Sequence, residues 1–360
     1  MPTDLLLDSH PLRTDALASS ALLAAYRGEE PSHRPVWFMR QAGRSLPEYL
    51  EARAGTDMLD ACLTPELAAE ITLQPVRRYG VDAAIFFSDI VVPLRLAGLD
   101  VSIQPGVGPV FAKPIRTAGD VEALPPVDET FIRSLAPIAQ AVALTTAELG
   151  STPLIGFAGA PFTLAAYMVE GKASRDHIGA RRLMASSPDV WAGLAAWAAE
   201  ISGWFLRTQV LAGASAVQLF DSWAGSLSEV EYTRSCLPAS SRVFDLVADL
   251  PVPRVHFAAN GAHLLAPMAE AGATVMGVDY RLPLDAASVE LGGETPLQGN
   301  INPAYLAAPW ETLRDHVDDV VRRGQLAPGH VVNLGHGVPP DTDPGALQRI
   351  VDHVHDSGTG

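Results

Sequence analysis

The chain has 360 residues, of which 48% are hydrophobic, and 41 Asp and Glu residues outnumber 25 Lys and Arg residues to give a formal net charge of −16. This negative charge argues against nucleic acid as a partner, because binding to a phosphate backbone requires a basic surface. No apolar run of about 18 residues is free of charge, so no membrane span is predicted, and residues 1–15 lack the basic start of a signal peptide. Two isolated cysteines, Cys62 and Cys236, fit a reducing cytoplasm and predict buried apolar side chains.

Short apolar runs recur along the chain, each followed by a polar or glycine-containing turn and then by a segment with helical features. The runs are continuous rather than alternating, as expected for strands that are buried on both faces of a parallel sheet. They comprise residues 36–39, 81–87, 153–157, 216–220, 254–258, 274–278, 296–298 and 330–334.

Helix-start signals separate these runs. Thr64, Asn302 and Asp343 each precede a proline, and Ser228 with Glu231 three residues later predicts a capping box. Eight strands that alternate with helices predict an α/β fold, a single (β/α)8 barrel of the TIM type. A doubly wound parallel sheet is the alternative, since a count of eight strands does not prove closure.

We expect the barrel to be one domain over residues 1–360, with residues 1–30 as an N-terminal extension. One segment breaks the alternation of strands and helices. Residues 99–115 are rich in Gly, Pro and Val and predict a β-hairpin inserted after the second strand.

The first run leads into residues 40–44, which read Arg-Gln-Ala-Gly-Arg. Each guanidinium can hold a carboxylate or phosphate through two parallel hydrogen bonds. In so acidic a protein, Arg40 and Arg44 beside a glycine indicate a loop that binds an anionic ligand. The alternative is that both arginines pair with Glu48 and Glu51.

Other polar side chains follow the predicted strands, at the rim where the active sites of such barrels lie. Asp89 follows the second strand, Tyr167 lies on the helix after the third, Ser222 follows the fourth and His336 follows the eighth. Each has an ordinary alternative: a helix cap for Asp89, core packing for Tyr167 and an exposed turn for His336. Ser222 is favoured for the site, because Ser228 already caps the next helix.

The sequence predicts no metal site and no nucleotide cofactor. The histidines near strand ends have no Cys or Glu at ligand spacing, and no Gly-x-Gly-x-x-Gly or phosphate loop follows the first strand. The histidines considered are His256, His263, His330 and His336.

Two segments resemble the signatures of the uroporphyrinogen decarboxylase family. Residues 35–44 read Pro-Val-Trp-Phe-Met-Arg-Gln-Ala-Gly-Arg, and residues 156–167 read Gly-Phe-Ala-Gly-Ala-Pro-Phe-Thr-Leu-Ala-Ala-Tyr. The resemblance spans nearly the whole chain and continues, in order, through residues 86–89, 220–225 and 333–337. Ser45 departs from the aromatic residue that is common at its position.

The resemblance implies a distorted (β/α)8 barrel, usually a homodimer, that needs neither a metal nor an organic cofactor. The implied reaction removes the four acetate carboxyls of uroporphyrinogen III to give coproporphyrinogen III in haem synthesis. The implied substrate-binding residues are Arg40, Gln41, Ala42, Gly43, Arg44, Asp89, Tyr167, Ser222 and His336.

For the chemistry, the resemblance implies that Asp89 at the centre accepts from pyrrole N–H groups and stabilises a cationic ring. The proton donor stays open among Arg40, His336 and a water held by Tyr167, because a guanidinium is a poor acid at neutral pH.

Two other functions are weighed against this one. A methyltransferase acting on a corrinoid-bound methyl group would need zinc held by a histidine and cysteines, but Cys62 and Cys236 lie outside the strand-end positions. A non-catalytic carrier of acidic tetrapyrroles would use the same arginines, but it would gain little from a carboxylate such as Asp89 at its centre.

Overall fold

The computed structural model describes residues 5–43 and 45–357, so the predicted ligand Arg44 lies outside the described residues. Within these described residues, seven strands form one parallel sheet in the order β1-β4-β5-β6-β7-β8-β9, and β2 pairs with β3 in a separate antiparallel sheet. The strands are β1 (Ala84–Ile85), β2 (Val101–Gln104), β3 (Gly108–Phe111), β4 (Leu154–Gly159), β5 (Ala216–Phe220), β6 (Arg254–Phe257), β7 (Val275–Gly277), β8 (Leu297–Gln298) and β9 (His330–Val331).

The first predicted run lies between the two edges of the large sheet and forms an isolated bridge rather than a regular strand. Val36 pairs in parallel with Val332, and the Val332 N–H donates to the Pro35 carbonyl at 2.9 Å. On the other side, the Asp82 N–H donates to the Val36 carbonyl at 2.9 Å. The Val36 N–H donates to the Asp82 carboxylate instead of a strand carbonyl, which cuts the ladder short. The sheet therefore curls until both edges meet one segment, as in a TIM-like barrel.

Helices follow most strands and cover the outside of the curled sheet. The α-helices are α1 (Ala21–Tyr26), α2 (Pro47–Ala52), α3 (Met58–Leu63), α4 (Pro65–Tyr79), α5 (Val92–Leu96), α6 (Ala118–Glu122), α7 (Glu129–Ser134), α8 (Ala136–Leu149), α9 (Pro161–Glu170), α10 (Ile178–Ser186), α11 (Pro188–Ala212), α12 (Glu229–Ser235), α13 (Leu237–Asp245), α14 (Leu265–Glu270), α15 (Leu284–Glu290), α16 (Trp310–Gly324) and α17 (Pro344–Ser357). Short 3₁₀ helices span Asp15–Leu17, Ala224–Ser226, Ala262–Leu264 and Pro303–Ala307.

The predicted helix starts have different outcomes. The capping box is confirmed, because Ser228 Oγ accepts from the Glu231 N–H at 3.3 Å and the Glu231 carboxylate accepts from the Ser228 N–H at 2.8 Å. Asn302 precedes a 3₁₀ helix rather than an α-helix. Thr64 begins α4 without capping it, because its hydroxyl donates backwards to the Asp60 carbonyl at 2.8 Å.

The antiparallel pair of β2 and β3 falls within residues 99–115 and lies against the helix that follows β4. The Phe111 N–H donates to the Gly171 carbonyl at 2.8 Å, just past the end of α9. This contact places the hairpin beside the helix that carries Tyr167. No helix in the described part of the chain is both long enough and apolar enough to cross a membrane.

Candidate active site

The loop after the first run is fastened to the loop after β9. The Met39 N–H donates to Asn333 Oδ1 at 2.9 Å, and the Val338 N–H donates to the Met39 carbonyl at 2.8 Å. These bonds bring together Arg40 and His336, which stand at opposite ends of the sequence.

Arg40 is an exposed cation held in an unusual backbone conformation. Its φ of 61° lies in the left-handed region, which costs a non-glycine residue about 1 kcal/mol or more. Its side chain lies along Gly337, where an added Cβ would stand 2.5 Å from Arg40 Cδ. Within the described residues, the guanidinium makes no ion pair, and the alternative partner Glu48 is bound by Arg78 at 2.6 Å. The charge of Arg40 is thus available to a ligand.

The other residues of this loop do not all face the rim. Gln41 is fully buried: its Nε2 donates to the Ala83 carbonyl at 3.0 Å and its Oε1 accepts from the Phe38 N–H at 3.0 Å. The Gln41 side chain therefore positions the loop instead of offering a free group to substrate. Ala42 and Gly43 are half-buried, and neither backbone N–H donates to another described residue.

Asp89 follows β1 and sits in a turn at the start of α5. Its Oδ1 accepts from the Val91 N–H at 3.0 Å, as the helix-cap alternative expects, and its Oδ2 has no hydrogen-bond partner among the described residues. Burial raises the pKa of the Asp89 carboxyl, although the Val91 hydrogen bond and the charge of Arg40 both act to lower it. The residue therefore combines a local structural bond with one oxygen that is left for a ligand.

Tyr167 faces the same two charges. Burial raises the pKa of its hydroxyl to about 12, with the Asp89 carboxylate adding to the shift and Arg40 opposing it. The ring lies on Trp223, with 3.7 Å between centroids, and Trp223 in turn stacks on His177 at 4.2 Å. Tyr167 is thus part of an aromatic wall and not an isolated core residue.

Ser222 precedes Trp223 in the turn after β5. It is half-buried, and its hydroxyl makes no hydrogen bond to a described residue. Ser228, and not Ser222, caps α12.

His336 is exposed at the rim, and its imidazole is tuned towards the neutral form. Partial burial of the ring lowers its pKa although the residue as a whole is exposed, Arg40 lowers it further, and Arg281 adds a smaller effect in the same direction. A backbone hydrogen bond at Gly337 and the charge of Asp279 act the other way. At neutral pH, therefore, the His336 imidazole is mostly unprotonated and is poorly suited to act as a proton donor.

Sequence reasoning missed two features of this rim. Arg281 pairs with the buried Asp279 at 2.8 Å and keeps its guanidinium half-exposed beside His336. The position of Arg281 after β7 was a signal that the strand-end rule could have used. The stacking of Trp223 between Tyr167 and His177 had no sequence signal, because it depends on how two loops meet.

A second acid lies buried beneath the aromatic wall. Asp221 Oδ1 accepts from the Thr163 hydroxyl at 2.8 Å, while its Oδ2 is buried without a hydrogen-bond partner among the described residues. Burial raises the Asp221 pKa to about 7, against the lowering effect of the Thr163 bonds. Thr163 also accepts from the Trp223 N–H at 3.3 Å, so this pair holds the wall in place.

The rim therefore brings together an exposed guanidinium, an under-stabilised carboxyl, a tyrosine hydroxyl, a serine hydroxyl and an imidazole. Cations at the edge suit a ligand that carries carboxylates. A carboxyl with a raised pKa suits a ligand on which positive charge develops, because it gains most from a new cationic partner.

Comparison with known proteins decides the family. The model described as "Uroporphyrinogen decarboxylase (URO-D)" matches residues 17–357. The chain belongs to the uroporphyrinogen decarboxylase family. It is 63% identical to the uroporphyrinogen decarboxylase of Arthrobacter sp. (strain FB24), over 94% of this chain and 97% of the relative. It is 58% identical to the uroporphyrinogen decarboxylase of Leifsonia xyli subsp. xyli, over 96% of this chain and 97% of the relative. It is 54% identical to that of Streptomyces griseus subsp. griseus, over 95% of this chain and 93% of the relative.

A solved structure supports the fold alone. A methyltransferase from Methanosarcina mazei aligns with a TM-score of 0.79 and 18% sequence identity, covering 94% of this chain and 98% of the methyltransferase. At such low identity the likeness extends to the curled parallel sheet and its helices and not to the reaction.

Proposed function

We propose that this chain is an enzyme, a carboxy-lyase that removes the four acetate carboxyls of uroporphyrinogen III to give coproporphyrinogen III. The observation that carries the proposal is the electrostatic pairing across the rim, where Arg40 acts on the same pocket as the half-free Asp89 carboxyl. Family membership over residues 17–357 supports the same reaction. Arg40 and Arg44 would hold the carboxylates of the macrocycle, and Asp89 would accept from its pyrrole N–H groups.

In the proposed mechanism, a proton adds to a pyrrole α-carbon and the ring becomes a cation. The bond between the acetate methylene and its carboxyl then breaks, its electron pair flows into the cationic ring, and carbon dioxide leaves. A second proton adds to the methylene carbon, and loss of the first from the ring restores the pyrrole. Asp89 stabilises the cation, which is present mainly in and around the transition state. The protonated pyrrole itself serves as electron sink, so the proposal includes no organic cofactor or metal.

We propose the proton donor from three candidates, namely Arg40, His336 and a water held by Tyr167. His336 is disfavoured as a stored acid, because its pKa is lowered. Tyr167, with a pKa of about 12, is better suited to hold a water than to titrate. A water between Tyr167 and Arg40 is therefore our preferred donor. An unchanged pH–rate profile in His336→Asn would agree with it, whereas loss of the decline in rate at high pH would identify the imidazole as the acid.

We further propose that one domain carries this site. Residues 36–39 would complete an eight-stranded barrel, residues 1–30 would precede it, and residues 99–115 would be an insertion. We also expect a cytoplasmic homodimer that does not bind nucleic acid, in keeping with the net charge of −16.

The direct test is incubation of the purified chain with uroporphyrinogen under anaerobic conditions. We expect release of carbon dioxide and formation of coproporphyrinogen. A non-catalytic carrier would bind the tetrapyrrole without releasing carbon dioxide, and that outcome would overturn the proposed function.

A further inference from the structure

Three titratable side chains meet at the base of the sheet, the edge where its strands begin. His33 precedes the first run, Asp82 precedes β1, and His355 lies near the end of α17. His33 Nε2 lies 2.6 Å from Asp82 Oδ1, and His355 Nε2 lies 2.8 Å from Asp82 Oδ2. The proposed decarboxylation uses none of the three, because the rim lies at the other end of the strands.

We propose that His33, Asp82 and His355 bind one divalent transition-metal ion, for which Zn²⁺ is the best fit. Two imidazole nitrogens and one carboxylate oxygen form a donor set that Zn²⁺ accepts, with water as a fourth ligand. Mg²⁺ and Ca²⁺ prefer oxygen donors throughout, so they suit this set poorly.

The distances fit this assignment. The three ligand atoms all lie within 4.8 Å of one another. In a tetrahedral site with zinc bonds of about 2.0–2.1 Å, ligand atoms stand roughly 3.3 Å apart. The separations in the chain, 2.6 and 2.8 Å from each imidazole Nε2 to an Asp82 oxygen and at most 4.8 Å overall, therefore bracket the spacing that a bound ion requires.

Neighbouring groups already orient the ligands. The Val36 N–H donates to Asp82 Oδ2 at 2.7 Å, which leaves Oδ1 directed towards His33. His33 Nδ1 lies 3.1 Å from Ser32 Oγ, so Nδ1 can carry the proton while Nε2 binds the metal. Such outer contacts fix the tautomer and ring orientation of histidine ligands.

An ion can also reach the site. The Asp82 side chain is only 12% exposed, but the His33 and His355 side chains keep 33% and 31% of their surface in solvent. Asp352 and Asp356 on the same helix as His355 add negative potential around it. A bound cation would cross-link the end of α17 to the segment where the two edges of the sheet meet, and would stabilise the folded chain by mass action.

The test uses the full chain, freed of metal by a chelator and then titrated calorimetrically with ZnCl₂. We expect one Zn²⁺ per chain and a higher unfolding temperature in excess Zn²⁺, with no comparable response to MgCl₂. His33→Gln and His355→Gln should each weaken binding at least tenfold. His353→Gln is the matched control, because His353 lies on the same helix but pairs with Asp318 at 2.6 Å.

Unchanged Zn²⁺ affinity in both glutamine variants would overturn the proposal, as would an equal loss in His353→Gln. X-ray absorption at the zinc edge of the loaded wild-type chain gives a readout that does not depend on the variants. Two imidazole ligands per ion are expected there. Ligation by sulfur would place the ion at a cysteine and would exclude this site.

Discussion

Asp82 and Asp89 flank the same strand, β1, yet their carboxyl groups have opposite pKa shifts. Burial acts to raise the pKa of both. At Asp82, hydrogen bonds from His355, His33 and the Val36 N–H overcome burial and hold the pKa below its usual value. At Asp89, the Val91 N–H and the Arg40 charge do not suffice, and the pKa stays raised.

The two carboxyls therefore serve different ends. Asp82 is stabilised as an anion in the resting protein, so it contributes to the fold. Asp89 is left short of partners, which costs stability but reserves its charge for a cation that arrives with the reaction. Buried polar groups are normally paired, and an exception such as Asp89 is expected at a functional site.

The largest expected effect comes from Asp89→Asn. The variant keeps an oxygen for the Val91 N–H but loses the charge, so turnover should fall by about two to three orders of magnitude. The free energy of unfolding at pH 7 should not fall, because the charge that is removed is one the fold disfavours, as the raised pKa of the Asp89 carboxyl indicates. Anaerobic product formation and urea unfolding measure the two quantities. A loss of turnover below tenfold would show that Asp89 does not stabilise the cation.

Much of the rim could be predicted from the sequence, because parallel strands end at one edge whatever their lengths. That rule predicts that Arg40, Asp89, Tyr167, Ser222 and His336 lie together. In the structure the charge of Arg40 acts on Asp89, Tyr167 and His336, and Ser222 adjoins Trp223, whose ring lies on Tyr167. The sequence could not show that the Gln41 side chain turns inwards, since this depends on the carbonyl of Ala83, the residue that directly precedes β1.

The cluster of His33, Asp82 and His355 at the base of the sheet could not be predicted from strand ends or from ligand spacing. His33 and His355 stand near opposite ends of the chain, so no ligand spacing links them to Asp82. The regular first strand that the apolar run predicts was wrong in detail, because the Asp82 carboxylate takes the Val36 N–H. Both features depend on side-chain partners that come from distant segments.

Asp221 offers a second test of how much folding stability is lost when a buried carboxyl with one unpaired oxygen ionises. Its folded pKa of about 7 lies above the unfolded value, so the folded chain holds the extra proton between about pH 4 and pH 7. The stability that this proton confers is complete below the unfolded pKa and is lost as the pH rises through 7.

Relative to Asp221→Asn, the wild-type chain should therefore lose roughly 4 kcal/mol of unfolding free energy between pH 4 and pH 8. Urea unfolding across this range, on both proteins, measures the difference. Parallel stability curves would mean that Asp221 does not titrate in the folded state. The asparagine can still accept from the Thr163 hydroxyl, so the aromatic wall should stay in place.

A smaller loss of stability is expected at the base. In the metal-free chain, Asp82→Asn replaces a carboxylate that accepts from two imidazoles and one backbone N–H, and its amide can accept at only one atom. The unfolding free energy at pH 7 should fall by about 2 kcal/mol, since both imidazoles are partly exposed. Asp89→Asn, at the other end of β1, is the matched control. Equal destabilisation by the two variants would remove the contrast between the two ends of β1.

The smallest effect concerns the placement of Arg40. Gly337→Ala would set a methyl group 2.5 Å from Arg40 Cδ and 2.9 Å from Arg40 Cγ, so the guanidinium must move. The backbone at Gly337 is not in the left-handed region, so the change acts through this contact and not through backbone strain. If Arg40 only holds a substrate carboxylate, KM should rise about tenfold while kcat changes little.

The matched control is Gly119→Ala, whose methyl group would meet only Thr117 Oγ1 at 4.0 Å. Steady-state kinetics of both variants separate the two roles of Arg40. A drop in kcat with KM unchanged would mean that Arg40 acts in the chemical step beside Asp89. The rim would then hold two charges reserved for the transition state, whereas the base holds its charges satisfied at rest.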